Sequence, residues 1–486
     1  MNVNVSLCIL IGYALLLSAI TWKASKIQAA GEGKMLNYLM AGQQLPTGLV
    51  AVMLAGLAIG GASTVGVAEH AYTAGFSAGW YNGAWAAGGL FVGLFLAARF
   101  RRMSQHTVPE MMGAAFGPKA RLVGVVAQLL IMMTITALQY VAGGAILASM
   151  LPGLFTLKTG MIASAAVFIA ITLTGGYWAS GLTNVVNVVI IYVGIFTALW
   201  GGVRGFGGVE NILKALPEGK AWFNPVEGIG SAILAAWMAV MITMACSTQA
   251  AVQIALSARD ERSARNGFLL GALLIFPAGF LCSLFGIMAA SQFPNLPNPT
   301  LALPTIAAHI SPLIGGLFLA GLWAADVSTA VGLLMGSSTL LVQDVLNHLP
   351  LRSERAGSGL LMSRFAVLFV SACSFVLSLT VVGILKTLTS GLAITTSFTL
   401  LILANLYAPR LCKRSAGVLT ILASLVVWAL WTWVPATRIG PHLIFLEWPV
   451  CLAVFALCAV LDPRPAGRLV PDDGEAAVRG RTALES

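Results

Sequence analysis

Charge is what this chain of 486 residues has least of: Asp, Glu, Lys and Arg together make up 9%, where a soluble globular protein carries about a quarter. Scarcity on that scale excludes a soluble enzyme, and it excludes coiled coils and disordered chains, which are built from charge. Cysteine is sparse too. Cys8, Cys246, Cys282, Cys373, Cys412, Cys451 and Cys458 lie within or at the ends of apolar stretches, with no metal-ligand spacing and no paired exposed positions. A disulfide framework is therefore not expected. Lysine is missing from the middle of every apolar run, which argues against a proton-pumping respiratory subunit with its relay of buried Lys and Glu. Ser/His, paired-Asp and HExxH constellations are absent, so no enzyme is expected. The longest loops, 206–228, 292–311 and 347–359, are too short to fold alone, which removes a sensor with a cytoplasmic catalytic domain. A channel would need a repeated filter loop, and none is present.

What is abundant is apolar sequence, 58% of the chain, with a mean hydropathy of +0.90. It comes in runs of about twenty residues, the length of a helix that crosses the hydrocarbon of a bilayer. The reading is an all-α polytopic membrane protein with thirteen spans, numbered 0 to 12: 4–24, 46–75, 77–98, 119–151, 159–178, 180–204, 229–258, 265–291, 312–346, 360–385, 387–408, 416–434 and 444–461. The net charge of +10 does not indicate nucleic acid, because the basic residues fall in short clusters between apolar runs. With the N-terminus outside, 21 of the 27 Lys and Arg lie on the cytoplasmic side. The N-terminus lacks the basic segment of a cleavable signal, so its first run is kept as a span. The expected location is the cell (inner) membrane, multi-pass, with the C-terminus cytoplasmic. Residues 462–486, rich in Pro, Gly and charge without periodicity, read as a disordered cytoplasmic tail.

Three spans are interrupted. Span 1 carries Gly56, Gly60, Gly61 and Gly66 near its middle. Glycine at that density either unwinds a helix or lets a neighbour pack closely, and the Gly-Gly pair followed by Ser63 and Thr64 favours unwinding. Span 6 is interrupted by Ser247, Thr248 and Gln249. Paired breaks five spans apart are what an inverted-repeat transporter shows, with its site between them at the midplane. Span 8 holds Asp326 near the bilayer centre, where an unpaired carboxylate costs at least ~2.5–3.5 kcal/mol and is a functional candidate by default. Ser328 and Thr329, one turn from the Ala325 carbonyl, offer hard oxygen ligands suited to a small cation, or they bond back to their own helix.

Five blocks carry a resemblance over roughly residues 1–460: GVAEHAYTAG after the span 1 break, RFRRMSQHTVPEMMGAAFG between spans 2 and 3, GGYWASGLTNVVNVVIIYVG at spans 4–5, VQIALSARDERSARNG after span 6, and AADVSTAVGLLMGSSTLLVQDV in span 8. In this order the chain resembles the sodium:solute symporter family, which includes the sodium/proline and sodium/galactose symporters. The resemblance implies a leucine-transporter-like core of two inverted five-helix repeats working by alternating access. The implied units are 1–45, an extra span and cytoplasmic loop; 46–205, the first repeat; 206–408, the second; 409–461, two further spans; and the tail. It also implies a sodium site made of span 1 carbonyls at Gly56 and Ile59, or Ala62 and Val65 if the register differs, with Ala325, Ser328 and Thr329 of span 8. Thr183 and Asn184 stand where many members have Thr-Asp, and Val331 and Gly332 where a second sodium site needs hydroxyls. One coupling sodium is therefore expected. Asp326, apolar in some members, either reinforces that site or carries a proton.

By the same register, Ser63 and Asn82 fall at sugar-contacting positions, Gln139 and Tyr140 lie mid-span 3, and Thr395, Thr396 and Ser397 face the site from span 10. Met241 and Met244 suggest an apolar wall. Glu69 and His70 read as vestibule residues. The expected function is sodium-coupled symport of a small organic solute, an organic acid or amino acid by preference. The expected partners are that solute, sodium and the lipid bilayer, with no nucleic acid, and the chain acts as a monomer or a loose homo-oligomer.

Overall fold

A computed structural model describes residues 3–30, 34–103, 105–345, 358–380 and 384–470. Within them the chain is helical, and the only β pairings are isolated bridges such as Lys413 with Pro465. Among the described residues, eleven helices are long and apolar enough to cross a membrane, and the bent pair Thr47–Ala58 and Ala62–Phe95, at 57° to one another, makes a twelfth when taken as one span. The expected spans 1 and 2 divide this stretch at Gly75–Gly79. Its second part, Trp80–Phe95, has only 16 residues, set off from Val67–Ala74 by the tight turn Gly75–Gly79.

Spans 4 and 5 form one run, Leu157–Gly205, bent where Gly176 takes φ 59° and ψ −162°. Only glycine adopts that backbone without strain, so the GGYW block marks the corner. Span 6 breaks where expected: Gly230–Ser247 ends, Thr248 is extended at φ −72° and ψ 132°, and Gln249–Leu256 resumes. Span 10 carries a bend that the sequence reading did not anticipate, at Ala393–Ile394 between Ile384–Leu392 and Thr395–Tyr407.

The helices fall into two groups. Span 7 packs against spans 1 and 2, and span 2 against span 6. Span 8 packs most extensively on the run of spans 4 and 5, with spans 3 and 9 completing a second body. Span 8 is the axis: 89% of its apolar window is buried, against 22% for span 0 at the periphery. Hydroxyls in these apolar helices bond back to carbonyls one turn earlier, as Thr136 does to Met132 at 2.8 Å and Ser337 to Leu333 at 2.9 Å. Each of these hydroxyls is thereby buried with a partner.

Residues 462–470, assigned to the tail from sequence, lie against the body. Asn405 clasps them, its Nδ2 donating to Gly467 O at 2.8 Å and its Oδ1 accepting from Leu469 N at 2.9 Å, while Gly467 N donates to Ala115 O at 2.7 Å. Hydrogen bonds from the Arg464 side chain and amide hold the Asp462 carboxyl well below the usual carboxylate range. Residues 471–486 of the expected tail lie outside the described residues.

Candidate cation and solute site

The first helix of span 1 ends at Ile59, whose φ of −91° and ψ of 65° leave the α region. Gly60 and Gly61 follow, and a wider turn over Ala62–Gly66 restarts the helix. The hydroxyls after the glycines serve the break itself: Ser63 Oγ donates to Ala58 O, and Thr64 Oγ1 to Gly60 O at 2.9 Å. Ser63 is thus spent on the backbone rather than turned toward a solute.

Span 8 meets this break. Thr329 Oγ1 donates to Gly56 O at 2.6 Å, and Ser328 Oγ to Ala325 O at 2.8 Å. Gly56, Ala325, Ser328 and Thr329 are therefore brought together, with Ile59 one turn beyond Gly56 at the helix end. The donor set is all oxygen, carbonyl and hydroxyl, without nitrogen or thiolate, and fits a hard alkali cation. Gly56 is also close to span 5: a Cβ there would overlap the Asn184 amide. Asn184 Oδ1 is buried with no hydrogen-bond partner among the described residues.

Asp326 lies one turn from Thr329 and is fully buried. Its oxygens are set between span 1 and span 3: a Cβ at Gly61 would stand 2.8 Å from Oδ1, and one at Gly143 2.6 Å from Oδ2. Neither oxygen has a well-formed hydrogen bond, the nearest donors being the amides of Gly61 and Gly143. Gln139 holds the same break from span 3, its Oε1 accepting from Gly61 N at 3.0 Å.

Beside the break is a pocket lined by Leu57, Ala58, Gly60, Ala62, Tyr81, Trp85, Ile135, Gln139, Met244, Thr329, Leu388 and Leu392. It adjoins the cation cluster through Thr329, and spans 1, 2, 3, 6, 8 and 10 all contribute. Gln139 and Met244 lie where the sequence reading expected them. Three other candidate solute residues are elsewhere. Tyr140 faces away, its hydroxyl 2.6 Å from Ser371 Oγ and its ring stacked on Phe168. Asn82 is turned into span 7, where a Cβ on Gly279 would stand 2.7 Å from its own Cβ. Thr396 is buried below the span 10 bend, outside the lining. The residues missed are the aromatic pair Tyr81 and Trp85 and the leucine pair Leu388 and Leu392. Both pairs have the i, i+4 spacing of one helix face, a signal passed over because polar residues were sought.

Glu69 accepts from Ile384 N at 3.4 Å and is only partly buried. His70 leans on Trp237 with ring centroids 5.5 Å apart.

A polar network links the helices around the end of span 8. Gln128 Nε2 donates to Ser247 O at 2.8 Å, and Gln249 Oε1 accepts from Val108 N at 2.9 Å. Asp344, at the end of span 8, accepts from Thr107 Oγ1 and pairs with Arg121 Nε, both at 2.7 Å. These bonds tie spans 3, 6 and 8 to the loop helix Val108–Phe116.

A model of the sodium:solute symporter family matches residues 38–422. A sodium/glucose cotransporter of Vibrio parahaemolyticus is 24% identical over 343 residues, 64% of this chain and 62% of that protein. The high-affinity proline transporter PutP of Bacillus subtilis is 25% identical over 422 residues, 81% of this chain and 86% of that one. The match thus spans less than two thirds of the cotransporter's length. Among solved structures, a Na+-coupled sialic acid symporter superposes with a TM-score of 0.76 at 16% identity, covering 96% of this chain and 99% of its own. The nucleobase-cation-symport-1 transporter Mhp1 gives 0.59 at 13%, covering 90% and 96%. The fold is all-α and leucine-transporter-like.

Proposed function

The chain belongs to the sodium:solute symporter family, and on that premise we propose that it carries a small organic solute into the cytoplasm, coupled to one sodium ion, by alternating access. The observation that carries the reading is the 2.6 Å bond from Thr329 to Gly56 O. It joins span 8 to the unwound span 1 at the wall of the solute pocket. A cation held by the Gly56, Ile59 and Ala325 carbonyls and the Ser328 and Thr329 hydroxyls would clamp the same two helices. Sodium would thereby preform the pocket, and each ligand would raise the affinity for the other. Release into a low-sodium cytoplasm would then drive accumulation.

One ion is favoured over two because Val331 and Gly332 follow the hydroxyl pair and the residue beside Gly56 is Asn184, a neutral amide. The apolar and aromatic lining supports a solute with a sizeable apolar body, and an organic acid or amino acid remains the preferred class. The charge asymmetry of the loops supports an N-terminus outside, an orientation in which the polar network around Asp344 would lie at the cytoplasmic face.

The test is a thermal-shift screen of purified protein against small acids, amino acids, sugars and nucleobases, each in sodium and in choline. A compound that stabilises only with sodium is the expected result. Compounds that stabilise equally without sodium, with a response that follows pH instead, would overturn sodium coupling in favour of a proton on Asp326. Ser328→Ala and Thr329→Ala are each expected to raise the sodium concentration for half-maximal stabilisation by about tenfold, the loss of one ligand to a cation. Unchanged midpoints in both would remove span 8 from the cation site.

A further inference from the structure

Four helix ends meet at one place on the surface. Span 10 ends at Tyr407, span 11 begins at Arg414, span 12 ends at Leu461, and the short helix Ala97–Arg102 closes span 2. The loop between spans 10 and 11 is laced there to the segment 462–470. Arg414 N donates to Arg464 O at 3.1 Å and Ala466 N to Cys412 O at 3.0 Å, on either side of the antiparallel bridge between Lys413 and Pro465. Tyr407 joins span 2 to the group: its hydroxyl donates to Phe95 O at 3.0 Å, and the guanidinium carbon of Arg99 lies 4.3 Å from its ring centroid.

This lacing gathers cations. Arg410, Lys413 and Arg414 come from the loop, Arg464 and Arg468 from the segment, and Arg99 from span 2. The antiparallel register sets Arg414 opposite Arg464, a placement that like charges disfavour. Asp462, the segment's own acid, is already engaged, by Arg464 Nε at 2.9 Å and by Ser415 N at 3.0 Å. Among the described residues, the side chains of Arg410, Lys413 and Arg414 have no hydrogen bond or ion pair, and both arginines are exposed. Orientation in the membrane asks for basic residues near span ends, but it does not ask that charges from separate segments be folded onto one another.

Beside these cations the surface is apolar. Tyr407 and Leu411 at the end of span 10 and Leu461 at the end of span 12 are exposed. Guanidinium and ammonium groups at the edge of an apolar belt match a negatively charged phosphodiester that carries acyl chains.

We propose that this junction binds the headgroup of an anionic phospholipid, its phosphate on Arg410, Lys413 and Arg414 and its acyl chains along Tyr407, Leu411 and Leu461. The bound lipid pins the segment 462–470 to the loop. Asp472, Asp473 and Glu475 of the chain itself supply negative charge but no apolar body to cover those three side chains, which favours the lipid. The site is separate from sodium coupling and stands whether or not that reading holds.

The experiment is hydrogen exchange of the full chain in nanodiscs of phosphatidylcholine, alone or with about one third phosphatidylglycerol, read on peptides covering residues 408–416 and 462–470. Exchange is expected to slow about threefold or more with phosphatidylglycerol, and the effect should vanish at about 1 M salt, where charges are screened within about 3 Å. Arg410→Gln, Lys413→Gln and Arg414→Gln combined should abolish the difference, while Arg204→Gln with Lys214→Gln, in another loop, should preserve it. Glycerol phosphate added to phosphatidylcholine nanodiscs offers the headgroup without acyl chains and should leave exchange unchanged; protection equal to that by phosphatidylglycerol would overturn the lipid as ligand. Equal exchange in the two membranes, or a response retained by the triple variant, overturns the site. If the triple variant does not fold, the salt series decides: an effect that survives about 1 M salt is not binding of a phosphate by these cations. Protection already present in phosphatidylcholine and lost on removing residues 471–486 would give the cations to the chain's own acidic segment and overturn the proposal.

Discussion

Replacing Gly61 with alanine is expected to abolish most of the response to sodium while leaving the helices intact. A Cβ at position 61 would overlap the Ala142 methyl of span 3 and stand 2.8 Å from Asp326 Oδ1. Both neighbours sit on long buried helices with little room to give, and overpacking of this kind costs about 1–3 kcal/mol. The break must then shift away from spans 3 and 8, carrying the Gly56 carbonyl from the Thr329 hydroxyl. A hundredfold loss of sodium affinity would reduce stabilisation from about 2.7 kcal/mol, at a hundred times Kd, to about 0.4 kcal/mol at the same concentration. The control is Gly48→Ala, in the same span but facing open space, which should titrate like the unmodified chain. Circular dichroism reports whether helix content survives. A sodium midpoint for Gly61→Ala within error of the unmodified protein would refute the close packing of this break.

Asp326→Asn is the second large effect. About one helical turn, roughly 5 Å of rise, separates Asp326 from Thr329, and two unit charges at that separation interact by about 3 kcal/mol at an effective dielectric of about 20. Asparagine keeps the shape and removes the charge, so apparent sodium affinity is expected to fall by about a hundredfold, with packing against Gly61 and Gly143 preserved. The measurement is the sodium titration of thermal stability at several pH values. If the midpoint holds and only a pH dependence disappears, the carboxyl is not part of the cation's electrostatic shell and the charge argument fails.

Much of this arrangement was legible along the chain because it depends on local chemistry. A glycine pair followed by two hydroxyls marks a helix that unwinds, and the break falls at Ile59–Gly61. Hydroxyls three and four residues after Ala325 share one face of span 8 and meet whatever lies opposite, which is Gly56. The solute pocket was less accessible. Ser63, Asn82, Tyr140 and Thr396 were chosen as polar groups in register; Ser63 bonds to its own backbone and Tyr140 to a neighbouring helix, while the Asn82 amide and the Thr396 hydroxyl are buried without a partner among the described residues and lie outside the pocket lining. What faces the pocket is the surface left over, aromatic and aliphatic, and its position follows from the rotation of each helix about its axis. That rotation is set by packing partners hundreds of residues away. The bend in span 10 was hidden for a related reason: Ala393 and Ile394 carry no turn chemistry, and their distortion goes with the hydroxyls of neighbouring helices, Ser247 and Ser424, which donate to Thr395 O and Ile394 O.

Residues 462–470 give the end of the chain a mechanical part. They are clasped by Asn405 and reach Ala115, at one end of the loop helix whose other end supplies Thr107 to Asp344 and Val108 to Gln249. A pull on this strap would bear, through one short helix, on the bonds around Asp344 and Gln249. A protease, a fusion partner or an antibody fragment gripping those nine residues would therefore be pulling on a door handle rather than on a loose end.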